Sequence, residues 1–239
     1  KHKALKNVKE RNRRLETFRQ NLSTLVFFDP ACGSGNFLTE IFLSLRRLEN
    51  EALSVIQEGN VTLFGMTPIY VSISQFYGIE INDFAVSVAK SAMWIAEHKM
   101  MLETERITLQ DLNFLPLKTY TNIVEGNSLC VDWETVVPKD KLSYIIGNPP
   151  FIGARLMSNE QKKDVVDIFK NVKNIGNLDY VSCWYKKAAN LMTGTQARTA
   201  LVSTNSITQG EQVAILWKDL FENGVHIDFA YKTFLWDSE

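Results

Sequence analysis

The chain has 239 residues, 45% of them hydrophobic and 22% charged, with a net charge of -1. That length and balance suit one domain with a sizeable core, and they exclude wholesale disorder and any global attraction to a polyanion. Three widely spaced cysteines, Cys32, Cys130 and Cys183, with three histidines, form neither a disulfide framework nor a ligand-spaced metal cluster, which points to a reducing, cytoplasmic compartment.

Membrane insertion and secretion are not expected, because no apolar run reaches about 18 residues and no signal-peptide pattern is present. The amino end, to Ser23, reads as a helix with an imperfect stripe of Leu5, Val8, Leu15, Phe18 and Leu22. Residues 1–20 carry eight Lys or Arg against two Glu. This local excess suits a solvated helix leading into the domain better than a phosphate-contacting arm.

An apolar run from Leu22 to Phe28 meets Asp29 and Pro30. It reads as a strand ending in the glycine-bearing loop "DPACGSGN", followed by a helix through Phe37, Leu38, Ile41, Phe42, Leu45 and Leu48. Residues 50–74 are less regular, with turn-like "QEGN" and "FGMTP", and predict a helix extension or an insertion. A strand at 75–81 precedes a helix at 83–100 through Ala85, Val88, Ala89, Ala92, Met93 and Ala96. Further strands are expected at "TNIVEGN" and "LSYIIGN", with Trp133 and Val136 between them as packing residues. Helices around 159–170 and 178–192, a fifth strand at "ARTALVSTNS", a helix at 211–222 and a sixth strand at "VHIDFAY" complete the series. The alternation predicts an α/β, Rossmann-like, doubly wound and mostly parallel sheet with helices on both faces. Ligands in such sheets sit beyond the carboxyl ends of the strands.

Three strand ends carry chemistry. Gly33 and Gly35 permit tight turns and close ligand approach, and the loop amides suit an anion, although the same glycines also serve a purely structural strand-to-helix turn. The loop lacks both the three-glycine dinucleotide pattern and the Lys-Ser/Thr of a triphosphate loop. Glu80 closes the second strand, where an acid accepts hydrogen bonds from ribose hydroxyls. A ligand with a ribose and no phosphate chain fits both observations. At "YIIGNPPFIG", Pro149 and Pro150 stiffen the turn after a strand, the Asn148 side-chain oxygen and the Pro149 carbonyl remain as acceptors, and Phe151 offers a flat apolar face. Together they suit a planar ring bearing an amino group; the structural alternative is a proline-terminated strand with a core phenylalanine.

In these motifs the chain resembles the class I methyltransferases that use S-adenosyl-L-methionine, and more narrowly the adenine-N6 DNA enzymes with an Asn-Pro-Pro-aromatic motif. The resemblance implies that Asp29, Pro30, Ala31, Cys32, Gly33, Gly35, Asn36 and Phe37 surround the cofactor's methionine moiety. It implies that Glu80 binds the ribose, that Ile81 also belongs to the cofactor site, and that Asn127, Ser128 and Leu129 flank the adenine; many members carry an acid where this chain has Asn127. Asn148, Pro149, Pro150 and Phe151 would be catalytic, and Asp179, Tyr180, Phe234 and Trp236 would border the target base. Ser203 to Ser206 ends a strand and either shapes the site or is a simple turn.

"RRLETFRQNLSTLVFFDPACGSGNFL", "VSISQFYGIEIND", "LPLKTYTNIVEGNSLCVDW" and "IIGNPPFIGARLM" closely resemble the core of long, single-chain type II (IIG/IIL-like) restriction–modification enzymes. That resemblance implies residues 1–23 as a helical lead-in from an upstream linker and 24–239 as a truncated methyltransferase core. The nuclease and target-recognition domains would lie outside it, with double-stranded DNA bound through the full-length protein and the isolated core monomeric. Magnesium is implied only for such a nuclease, and no metal for this core. Methylation of ribosomal RNA or a protein glutamine, and a noncatalytic scaffold, are the competing readings.

Overall fold

The computed structural model describes residues 2–57, 68–112, 122–170 and 172–234. Five strands, β1 (Phe27–Asp29), β2 (Phe76–Glu80), β3 (Asn122–Glu125), β4 (Tyr144–Gly147) and β5 (Arg198–Leu201), alternate with helices. The helices are α1 (His2–Leu22), α2 (Asn36–Gln57), α3 (Asp83–Thr108), α4 (Asn159–Ile168), α5 (Ser182–Met192) and α6 (Glu211–Glu222). The strands lie in the order β3-β2-β1-β4-β5, and every pairing is parallel. The chain winds outward from β1 through β2 to β3, then returns to the other side of β1 for β4. A crevice therefore opens between the ends of β1 and β4, where a doubly wound sheet places its ligand.

Successive strand residues face opposite sides, and adjacent phenylalanines show it. Phe27 stacks between Phe76 and Tyr144, with both ring centroids at 5.3 Å. It belongs to a core with Leu38, Phe42, Ala89 and Met93 of α2 and α3. Phe28 meets Trp133 edge-on at 5.2 Å in a second core with Val165, Trp184 and Leu216 of α4, α5 and α6. Each such side chain buried from water contributes about 1.5–3 kcal/mol. The alternation thus holds one helix layer on each face.

Local chemistry sets the helix ends. Asn82 accepts the Ala85 N–H at 2.9 Å to start α3, and Ser158 and Gln161 form a reciprocal capping box on α4. Helix α2 continues through Asn50 to Gln57, which makes this part of the irregular region a helix extension; "FGMTP" lies mostly outside the described residues.

Two expectations need correction. Helix α1 is not simply a solvated lead-in: Arg13 and Arg14 pair with Glu10 on its exposed face, but Arg19 is buried. Arg19 bonds Glu16 at 2.7 Å and the Pro68 carbonyl at 2.5 Å, beside a buried Arg46–Glu49 pair on α2. A buried cation requires such partners, so the end of α1 is docked on the domain. The segment "VHIDFAY" forms no strand: residues 225–231 are irregular, and all but Val225 are exposed. Its alternation is real, but a strand requires a ladder partner, and among the described residues it has none; Asp228, 3.8 Å from Arg198, links it to β5 through an ion pair. Among the described residues, no helix is long and apolar enough to cross a membrane.

Candidate active site

The first loop is built on a buried acid. Asp29, at the end of β1, is 1% exposed. Its Oδ1 accepts the Ala31 N–H at 2.9 Å, while its buried Oδ2 has no hydrogen-bond partner among the described residues. Burial pushes the carboxyl up to about 7; the Ala31 N–H opposes this, and the nearby Glu80 charge adds to it. Gly147 of β4 permits this arrangement, since a Cβ there would lie 2.6 Å from Asp29 Oδ1. The loop then closes on the sheet: Cys32 N–H donates to Ile79 O at 3.1 Å and Gly35 N–H to Cys32 O at 2.8 Å. Gly35, at φ +82°, packs so tightly that a Cβ would meet Ala89 Cβ at 3.0 Å. Gly33, at φ +53°, instead faces open space.

Glu80 binds loop and helix together. Its two oxygens accept the Gly33 N–H at 2.9 Å and the Asn82 N–H at 3.0 Å. A carboxylate offers about four acceptor positions, so acceptor capacity remains on each oxygen. Ile81 beside it is 68% exposed.

The turn after β3 forms a further wall. Asn127 Oδ1 accepts the Leu129 N–H at 2.9 Å, and its Nδ2 faces Asp164 Oδ2 at 3.4 Å. Lys187 of α5 donates to the carbonyls of Ser128 at 2.7 Å and Val131 at 2.6 Å. Its ammonium also sits 5.0 Å from the Trp133 ring centre. Burial lowers Lys187 to about 8, against the pull of Asp132.

The fourth strand end is clamped from below. Asn148, Pro150 and Phe151 are exposed and Pro149 is buried, so the amide and the ring face outward from a fixed turn. Asp179 accepts the Ala154 N–H at 2.9 Å, the Ser206 hydroxyl at 2.5 Å and the Gln212 amide at 3.2 Å. Tyr180 N–H donates to Ile152 O at 2.9 Å. The Tyr180 hydroxyl donates to Asp164 at 2.7 Å, and Trp184 Nε1 donates to Pro30 O at 3.2 Å, which joins this half of the site to the first loop.

Residues 5–239 match the family model described as MmeI, DNA-methyltransferase domain. The chain belongs to this DNA-methyltransferase family. DNA methyltransferase A of Bacillus subtilis (strain 168) is 44% identical over 228 residues, 93% of this chain and 26% of that protein. The structure of the type IIL restriction–modification enzyme MmeI in complex with DNA superposes with a TM-score of 0.91 at 40% identity, covering 98% of this chain and 32% of that one. A nuclease-deletion mutant of the type ISP enzyme LlaGI, at 17% identity and a TM-score of 0.50, shares the fold alone. The methyltransferase domain thus spans between a quarter and a third of the relatives' length.

In this methyltransferase domain the expected residues occupy the ends of β1 to β4 around the crevice. Asp179 and Tyr180 turn inward: Asp179 is a clamp with both oxygens engaged, and Tyr180 is buried edge-on against Trp184. Ser206, beyond the end of β5, donates its hydroxyl to Asp179. Phe234 is exposed in the irregular segment after α6, and Trp236 lies outside the described residues. The residues missed in the sequence are Gly147, Asp164, Lys187 and Gln212. Of these only Gly147, directly before the Asn148 motif, carried a readable signal.

Proposed function

We propose that this domain transfers a methyl group from S-adenosyl-L-methionine to the N6 amino group of adenine in double-stranded DNA, within a longer, cytoplasmic restriction–modification enzyme. The observation that carries the reading is the convergence of Asp29, Glu80, Asn127 and Asn148 at neighbouring strand ends in a member of this family. The site suits that cofactor. Asp29 Oδ2, without a hydrogen-bond partner among the described residues, lies at the loop where a cationic amino group would seat, and a Cβ on Gly33 of the same loop would meet nothing within 4 Å. Glu80 retains acceptor capacity for two ribose hydroxyls, and Ile81 presents an apolar surface to the base. When bound, the cofactor supplies an activated methyl carbon.

The chain's own residues do the rest. An exocyclic amine is a poor nucleophile because its lone pair is delocalised into the ring. Acceptance of its hydrogens by Asn148 Oδ1 and the Pro149 carbonyl favours a pyramidal nitrogen and stabilises the charge that develops on attack. Pro150 fixes the turn, and Phe151 stacks on the base once it has left the duplex. Asp179 holds the motif in place by anchoring Ala154, which supports alignment of the reacting atoms. In this proposal residues 1–23 lead in from an upstream linker and 24–239 form the core. Nuclease and recognition domains lie elsewhere, magnesium serves only the nuclease, and the isolated core is monomeric.

The deciding experiment measures transfer of a labelled methyl group by the full-length protein to duplex DNA, ribosomal RNA and a glutamine peptide. Label on adenine N6, lost in Asn148→Ala, is expected, with Phe151→Tyr more active than Phe151→Ala. Label on RNA or peptide but not DNA overturns the substrate, and full transfer by Asn148→Ala overturns that residue's role.

A further inference from the structure

Asn127 places an amide, where a carboxylate would also fit, in the turn after β3. An amide is a weaker design there in one respect: only one of its two terminal atoms accepts a hydrogen bond, so the side chain must be held the right way round. The two atoms differ little in shape, and their hydrogen-bond partners decide which way the group turns. Here both partners act in the same sense. The Leu129 N–H donates to Oδ1 at 2.9 Å, and the Asp164 carboxylate lies 3.4 Å from Nδ2. Turning the amide over would set an N–H against an N–H and an oxygen against a carboxylate.

Asp164 is itself held. It projects from α4, is half-buried, accepts the Tyr180 hydroxyl at 2.7 Å and receives the Cys130 thiol at 3.7 Å. The backbone oxygen of Asn127 accepts the N–H groups of Cys130 and Val131, each at 2.9 Å, which fixes the turn from which the side chain projects. The unused acceptor capacity of Asn127 therefore lies on Oδ1.

We propose that Asp164 is a positioning residue that fixes the orientation of the Asn127 amide, and so makes the site select a purine with a 6-amino donor over one with a 6-oxo acceptor. This rests on the reading that Asn127 flanks the cofactor's base. With Asp164 removed, the amide is free to turn its Nδ2 toward a 6-oxo group, at the expense of the Leu129 contact.

The test compares binding of S-adenosylhomocysteine and S-inosylhomocysteine to the full-length protein by calorimetry. The unaltered protein is expected to favour the adenosyl compound at least tenfold, and Asp164→Ala to reduce that preference to less than threefold. Asp167→Ala, which removes a neighbouring charge on the same helix, is the control and should keep the full preference. Asp164→Leu, of similar size but without an acceptor, should reduce the preference in the same way, which keeps the proposal testable where Asp164→Ala fails to fold; adding Asn127→Asp to either variant should restore it, because a carboxylate accepts whichever way it is turned. Loss of the preference in Asn127→Ala but not in Asp164→Ala overturns the role of Asp164 and leaves the cofactor placement standing. Unchanged binding of both compounds by Asn127→Ala overturns the placement, and the proposal with it. A folded Asp164→Leu variant that keeps the full preference also overturns the proposal.

Discussion

Replacing Gly147 by alanine sets a single methyl group against the acid at the centre of the crevice. The added Cβ would lie 2.6 Å from Asp29 Oδ1, well inside the contact distance of about 3.5 Å. The carboxylate is buried and bonded to the Ala31 N–H at 2.9 Å, so it cannot swing into solvent without breaking that bond. Overpacking costs about 1–3 kcal/mol, and a weakened bond to a buried acceptor about 1–3 kcal/mol more. Taken together, roughly 3 kcal/mol of stability should be lost, which for a domain of this size lowers the melting temperature by about 6–12 °C. The relaxation would also shift Asn148, the next residue, and the loop at Ala31. Cofactor affinity should therefore fall about tenfold or more, measured by calorimetry beside thermal unfolding. In an Asp29→Ala background the same change should cost little, because the obstructing oxygen is gone. A Gly147→Ala protein with unaltered melting temperature and affinity would refute the close approach of β4 to Asp29.

Three further outcomes follow from the same geometry. Burial holds Asp29 near pKa 7, against an ordinary value of 3.8, so the native state binds this proton more tightly than the unfolded chain does. Its contribution is fully present below about pH 4 and is lost as pH rises through about 7, by up to about 4 kcal/mol. Asp29→Asn should flatten that part of the stability profile in denaturant titrations. Asp179→Ala frees Ala154, Ser206 and Gln212, and a motif displaced by about 1 Å should lose up to about 100-fold in turnover; single-turnover rates should fall while cofactor binding holds. Lys187→Met removes the donor to the Val131 carbonyl, while the Ser128 carbonyl keeps the Trp133 indole N–H, and should cost about 1–3 kcal/mol in urea unfolding.

Much of this was legible in the sequence because it is local. The apolar runs at Phe27–Phe28, Phe76–Ile79 and Ile145–Ile146 each end at an acid or a glycine, and the acids and amides of interest sit at or just beyond those ends. The helical spacing from Phe37 to Leu48 and from Ala85 to Ala96 likewise announced α2 and α3. What was not legible depends on partners distant in sequence. Asp164 and Asn127 are 37 residues apart, and nothing in "KKDVVDIF" distinguishes the acid that faces the site from its exposed neighbour Asp167. Arg19 looked like one more solvated cation in a basic helix until the Pro68 carbonyl and Glu16 were placed around it. The alternation in "VHIDFAY" satisfied the local rule for a strand, and the missing condition was a neighbour to pair with.

Lys187 has a consequence for how the domain forms. Its ammonium gathers carbonyls 56 to 59 residues earlier in the chain, much as a bound cation gathers oxygens around itself. The turn at 128–131 lacks this fastener until α5 has been made and has docked, and closing so long a loop is slow compared with forming the helices themselves. One wall of the crevice is therefore incomplete until α5 is in place. A ligand stabilises only the species that binds it. Cofactor should accordingly do little to rescue a folding intermediate that lacks α5, and should protect the domain only once nearly all of it is in place.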